Sequence, residues 1–312
     1  MEATLDTDEG WDEAVAGCGA VFHTASPFPI GAPKHEDELI RPAVDGTTRV
    51  LKVVSRAGGT VKRVVVTSSC ASVAWGQPPK VVKEKTFTEE DWSDVSPGSS
   101  IDAYSKSKTL AERAAWDFVA ALPEDQRFEL ATVNPSYVLG PVLNPNGASS
   151  YELLTRLMNR KDPGAADVRL IVVDVRDVAD GHLAAMTAPE AAGGRHILSA
   201  ASVSMITVAR ALADEFNDKG YNVATKKIPY ALMWVLGRCD KTIRAVLPEV
   251  GVDRKMDHSR AERVLGIDFI APETTVVDMA YSMIEKGALP NKLPDGFVRN
   301  SAAGADAAGS DE

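Results

Sequence analysis

The chain has 312 residues, 45% of them hydrophobic and 25% charged, enough to build one large α/β domain or a core with a smaller lobe. Its net charge of −10, with no basic stripe interleaved with aromatics, argues against a nucleic-acid partner. No apolar stretch has membrane-spanning length, the amino terminus lacks a basic and an apolar signal region, and Cys18, Cys70 and Cys239 lack metal or redox spacing, so a reducing cytoplasm is the expected setting.

Taken in order, Ala20-Val21-Phe22-His23 predicts a short strand ending in Thr24-Ala25-Ser26-Pro27. From Glu36 to Ala57, Leu39, Ile40, Ala43, Val44, Thr47, Val50, Leu51 and Val54 recur at helical spacing, and Gly58-Gly59 stops the helix. Val61 to Thr67 is nearly all apolar and β-branched, as a strand covered on both faces requires. A loop rich in Pro, Lys and Glu is expected from Gln77 to about Ser100, then a long helix from Asp102 to Ala121 and a strand from Phe128 to Val133. This alternation predicts a parallel sheet with helices on both faces. The second half is less regular: helices are expected at Ser150–Asn159, Val175–Thr187, Ser204–Asn217, His258–Leu265 and Glu273–Lys286, with a strand at Arg195–Ser199. Residues 301–312, small and acidic, read as a disordered tail.

Three segments carry candidate chemistry. Tyr104 and Lys108 lie four apart in a predicted helix and so share a face. A phenol is a weak acid at neutral pH, and a nearby ammonium favours its ionised form, making the pair a proton donor and acceptor for a carbonyl/alcohol couple. Ser68-Ser69 follow the buried-type strand, where parallel sheets place their binding crevices, and a hydroxyl there can bond an oxygen as charge builds on it. Val133-Asn134-Pro135-Ser136-Tyr137-Val138-Leu139-Gly140-Pro141 follows the next strand. Of the other polar groups, His23 reads as structural, and Asp174, Arg176 and Asp177 as a helix cap with ion pairs. Met233, Trp234 and Leu236 suit either a substrate pocket or a packed core, and no metal-ligand spacing is found.

Together these segments resemble the extended short-chain dehydrogenase/reductases of the NAD-dependent epimerase/dehydratase superfamily, in the branch of dihydroflavonol and cinnamoyl-CoA reductases. Seven landmarks in register carry the likeness, among them Val21–Pro27, Val64–Ser69, Tyr104–Trp116, Asn134–Pro141 and Val173–Ala179, and it runs from about Ala3 to about Lys286. The resemblance implies a Rossmann-like doubly wound parallel sheet with a smaller carboxy-terminal substrate lobe. It divides the chain into an incomplete dinucleotide-binding core at 1–140, mixed core and substrate-binding lobe at 141–300, and the tail at 301–312. It also implies Tyr104 as general acid/base, Lys108 tuning it and holding the nicotinamide ribose, and Ser69 orienting the carbonyl. Cofactor contacts would come from Leu5, Thr24, Ala25, Ser26, Tyr104, Lys108, Pro135, Ser136, Val138 and Ser149, with Ser150 as the alternative to Ser149.

Two departures stand out. The family usually has Ala-Asp-Leu where this chain has Ala3-Thr4-Leu5, which removes an acidic contact near the adenine. No glycine-rich turn follows a strand, and the likeness begins at the family's third strand, so the first two strand–helix units, about 60 residues, are expected to be missing. The expected activity is therefore an NADP(H)-dependent carbonyl reductase or alcohol dehydrogenase, with NAD as the alternative cofactor and a small carbonyl or alcohol as substrate. The rivals are a catalytically impaired remnant without dinucleotide binding, and an epimerase or dehydratase on the same scaffold.

Overall fold

The structure, a computed structural model, describes residues 2–27, 33–145 and 149–297. The expected tail at 301–312 lies outside the described residues. The amino-terminal half runs α1 (Trp11–Val15), β1 (Ala20–His23), α2 (Asp37–Arg56), β2 (Arg63–Thr67), α3 (Pro79–Glu84), β3 (Thr86–Phe87), α4 (Ala103–Ala121), β4 (Glu129–Pro135) and β5 (Tyr137–Leu139). It continues with α5 (Ser149–Met158), β6 (Arg169–Asp174), α6 (Val175–Thr187), β7 (Arg195–Leu198), β8 (Ala201–Ser204), α7 (Met205–Phe216), α8 (Tyr230–Leu236), α9 (Lys241–Val246), β9 (Lys255–Met256) and α10 (Pro272–Glu285).

The main sheet has the order β1-β2-β4-β7, all parallel. Its register pairs His23 with Val66, Thr67 with Val133 and Pro135 with Leu198, so the strands finish along one edge. The run of valines in β2 works because successive strand residues face opposite sides. Val64 and Val66 join Leu130 against Leu51, Val54 and Ala115 of α2 and α4. Val65 joins Ala131 and Val133 against Ala185 beneath α6. Arg63, at the start of β2, is buried, and its guanidinium donates to the carbonyls of Ala185, Met186 and Ala188 at 3.1, 3.0 and 2.6 Å. It thereby satisfies the orphan acceptors at the end of α6. The expected cap at Asp174 is present: its carboxylate accepts from the Arg176 amide at 2.9 Å and from its guanidinium at 2.7 Å.

A second, three-stranded sheet, β5-β6-β8, carries a separate core in which Leu154, Val172, Leu212, Phe216, Met279 and Met283 are buried between α5, α7 and α10. The sequence reading places no strand at β5, β6 or β8, whose order comes from pairing with one another across distant parts of the chain. The expected loop from Gln77 to Ser100 is instead partly regular: it contains α3 and β3, and β3 pairs with β9 from far along the chain. Phe87 and Val82 are buried against Cys70, Val73 and Ile197, and that tertiary burial orders a segment whose composition reads as loop. The expected helix at His258–Leu265 is present from Ser259 on, its last five residues, Ala261–Leu265, forming a π turn closed by Gly266 at φ 67°. No helix among the described residues is long and apolar enough to cross a membrane.

Candidate active site

The ends of β2 and β4 place Ser68-Ser69 and Ser136 side by side, and the first turn of α4 stands beside them. Asp102 caps that helix: one carboxylate oxygen accepts from the Ser105 amide at 2.9 Å, the other from the Ser105 hydroxyl at 2.6 Å. A fixed first turn sets the direction of Tyr104, and Lys108 follows one turn later with its Nζ 5.9 Å from the Tyr104 ring centre. Ser69 caps the short turn Cys70–Ser72, accepting from the Ala71 amide at 3.1 Å, and its side chain is hydrogen-bonded to Tyr104.

Beneath this surface lies a polar network that the sequence reading did not single out. Glu112, one turn beyond Lys108, is almost wholly buried. Its carboxylate accepts from the hydroxyls of Ser68 and Ser72, from Asn134 Nδ2 at 2.8 Å, from Thr132 Oγ1 at 3.1 Å and from Arg195 Nε at 2.6 Å. One group thus ties together β2, β4 and β7 just below the candidate site. Burial alone would raise the Glu112 carboxyl, but Arg195 and the serine hydroxyls outweigh it and hold it below the usual range. The Arg195 guanidinium in turn lies 3.8 Å from the Trp92 ring centre. The only trace of this in the sequence is an acidic residue four positions after the candidate lysine; its partner lies 83 residues downstream. At Thr67, His182 Nδ1 donates to the Val178 carbonyl at 2.7 Å, which leaves Nε2 to accept from the Thr67 hydroxyl at 2.7 Å.

The electrostatics correct one expectation. Lys108 was expected to lower the Tyr104 phenol; instead the phenol is raised, because burial outweighs the lowering effect of the Ser69 hydrogen bond, and Asp102 adds to the rise. Burial also pushes the Lys108 ammonium down to about 8, against a raising effect of Glu112. His23 at the end of β1 is pushed down to about 4 by burial and then by Lys108, so it is neutral at physiological pH, as a structural histidine would be.

Ser69, Tyr104, Ser136, Val138 and Ser150 line one cleft of about 600 Å³, which Arg254 also lines, with its guanidinium 4.7 Å from the Trp75 ring centre. Lys108 sits behind Tyr104, buried. Pro135 is the last residue of β4 and is buried; it does not line the cleft. Thr24, Ala25 and Ser26 follow β1 and do not line this cleft. Leu5 lies elsewhere, against Gly46 of α2, where a Cβ on the glycine would come within 3.1 Å of Leu5 Cβ. Ser149 opens α5, and its side chain lies outside the described residues. The Ser136 hydroxyl is buried and has no hydrogen-bond partner within the protein. No cluster of His, Cys, Asp or Glu among the described residues could hold a metal ion.

The model of the NAD dependent epimerase/dehydratase family matches residues 1–201. The NADPH-dependent methylglyoxal reductase GRE2 of Saccharomyces cerevisiae is 32% identical over 276 residues, 85% of this chain and 76% of that protein. The cinnamoyl-CoA reductase CAD2 of Medicago truncatula is 38% identical over 204 residues, 64% of this chain and 59% of that protein. Among solved structures, yeast methylglyoxal/isovaleraldehyde reductase Gre2 complexed with NADPH superposes with a TM-score of 0.73 at 28% identity, covering 92% of this chain and 83% of that one. Vestitone reductase from alfalfa, Medicago sativa, gives 0.67 at 26%, covering 92% and 82%. The likeness expected from the motifs is thus shown, and this chain belongs to the NAD dependent epimerase/dehydratase family, the extended short-chain dehydrogenase/reductases, alongside the branch of reductases related to cinnamoyl-CoA reductase.

Proposed function

We propose that the protein is an NADPH-dependent carbonyl reductase in which Tyr104 gives the proton to the substrate oxygen. The observation that carries this reading is the hydrogen bond between Tyr104 and Ser69 in a cleft at the strand ends, with the Lys108 ammonium beside the ring. NADPH is named because methylglyoxal reductase relatives use it, and the buried, unpartnered Ser136 hydroxyl beside Tyr104 fits a ligand with a polar amide such as nicotinamide. Tyr104, Lys108, Ser136 and Val138 would hold that end of the cofactor. When bound, the nicotinamide supplies the hydride.

The residues of the chain then have separable tasks. The Ser69 hydroxyl and the Tyr104 phenol donate to the carbonyl oxygen, and those donations strengthen as the oxygen becomes negative. Tyr104 releases its proton to that oxygen. Its raised pKa keeps it protonated at neutral pH, and it can still donate because an alkoxide is a far stronger base than a phenolate. Lys108 offsets the charge left on Tyr104 and supports this only while protonated, below about pH 8. Asp102 and Glu112 hold the helix and the Ser68–Ser72 turn that aim these groups. The test is NADPH oxidation, followed by absorbance, with methylglyoxal and isovaleraldehyde. Tyr104→Phe is expected to cost 100-fold or more in kcat, the usual order of at least ~100 for a lost general acid. A Tyr104→Phe protein as fast as the parent removes the mechanism, and a parent without saturable NADPH binding removes the assignment.

A further inference from the structure

A second cavity, of about 270 Å³, adjoins the reactive cleft behind Tyr137. The two share Tyr137, Leu170, Met205 and Val246 as a common wall. The rest of the second cavity's wall is mostly apolar, chiefly Leu153 and Leu157 of α5, Ala166 before β6, Ile228 just before α8, Met233 of α8 and Ile243 of α9. Its charged groups are spent on one another: Arg156 Nε donates to Asp162 at 2.8 Å, and the same guanidinium pairs with Asp240 at 2.8 Å and Glu152 at 3.7 Å. Nothing in that arrangement offers an unpaired charge to a polar ligand, and a charged ligand would break pairs already made. A dry apolar cavity of about 150 Å³ is large enough to hold benzene, so this one has room for more than a phenyl group.

Resting on the reductase reading above, we propose that this cavity is a specificity subsite for an uncharged alkyl or aryl substituent of six or more carbons on the carbonyl substrate. The carbonyl carbon sits at Ser69 and Tyr104, and its apolar arm passes the Tyr137–Met205 wall. Substrates as small as methylglyoxal leave the subsite unused. Affinity is therefore set by the length of the apolar arm rather than by polar decoration.

The probe is a homologous series of 2-alkanones from 2-butanone to 2-undecanone, with Kd measured calorimetrically on the parent chain. Kd is expected to fall roughly fourfold per added methylene, the worth of one buried CH₂, until the cavity is full and then to level off. Ala166→Leu should move that break to a shorter chain and Met233→Ala to a longer one. Because either variant can be lost to misfolding, a 2-alkanone carrying a terminal diazirine is photolysed on the parent as well. Labelling of Met233, Ile243 or Leu157 supports the subsite. A Kd indifferent to chain length, a break that neither variant moves, or labelling confined to outer surfaces overturns it. The two readings fail separately. Reduction of methylglyoxal with no chain-length effect leaves the reductase and removes the subsite. Chain-length-dependent binding without NADPH-dependent turnover does the reverse.

Discussion

Lys108→Met is expected to make the protein more stable while removing its chemistry. An ammonium ordinarily titrates at 10.5; burial holds Lys108 at about 8, even with Glu112 opposing. At 1.36 kcal/mol per pKa unit, keeping this buried group charged at pH 7 costs roughly 3 kcal/mol. The folded value lies below the unfolded one, so between about pH 8 and 10.5 the unfolded chain binds more protons, and this group adds stability as pH rises through that window. Methionine fills similar volume without a charge. At pH 7 the variant should therefore be more stable than the parent by up to ~3 kcal/mol, and the gap should close by pH 10.5, leaving only the packing difference. Urea unfolding of both proteins at pH 7, 8, 9 and 10.5 measures this directly: groups remote from Lys108 cancel in the comparison, and the coupled His23 and Glu112 titrate below that range. A gap that does not change with pH, or a variant less stable at pH 7, refutes the argument that Lys108 is a charge held in place against its burial. A gain in stability paired with loss of carbonyl reduction marks it as a residue kept for chemistry.

The remaining expectations are shorter. In the parent, carbonyl reduction should decline above about pH 8 as Lys108 loses its proton; a Lys108→Arg protein that folds and reduces carbonyls should keep its activity to higher pH, read from kcat against pH. Glu112→Leu leaves Arg195 buried without its carboxylate and should cost about 3–5 kcal/mol in urea unfolding, whereas a loss under 1 kcal/mol would mean the network carries little. Gly140 has φ 124°, and an added Cβ would meet Asp174 Oδ1 and Val175 Cγ1 at 2.9 Å, so Gly140→Ala should lower the Tm measurably; an unchanged Tm contradicts that geometry. Asp174→Ala removes both a cap and an ion pair with Arg176 and should cost about 1–2 kcal/mol by the same assay.

Long periodic segments were legible because their neighbours in sequence settle them. The apolar face of α2, the valine run of β2 and the Tyr104–Lys108 spacing on α4 are local patterns, and the structure follows them to within a few residues. Ser69, Tyr104, Ser136 and Val138 were read from strand-end position and motif, and they do meet in one cleft. Leu5, Thr24, Ala25 and Ser26 were drawn from the same motifs and stand outside it. What stayed hidden depends on partners far apart in sequence. β3 exists because Phe87 is buried and Met256 pairs beside it, the Glu112 charge because Arg195 reaches it, and the apolar cavity because α5, α8 and α9 converge. The sign of the Tyr104 shift belongs to the same class: a spacing of four says that an ammonium is near, but only the packed structure sets how much water is excluded, and here that exclusion, with Asp102 beside it, outweighs the Ser69 hydrogen bond.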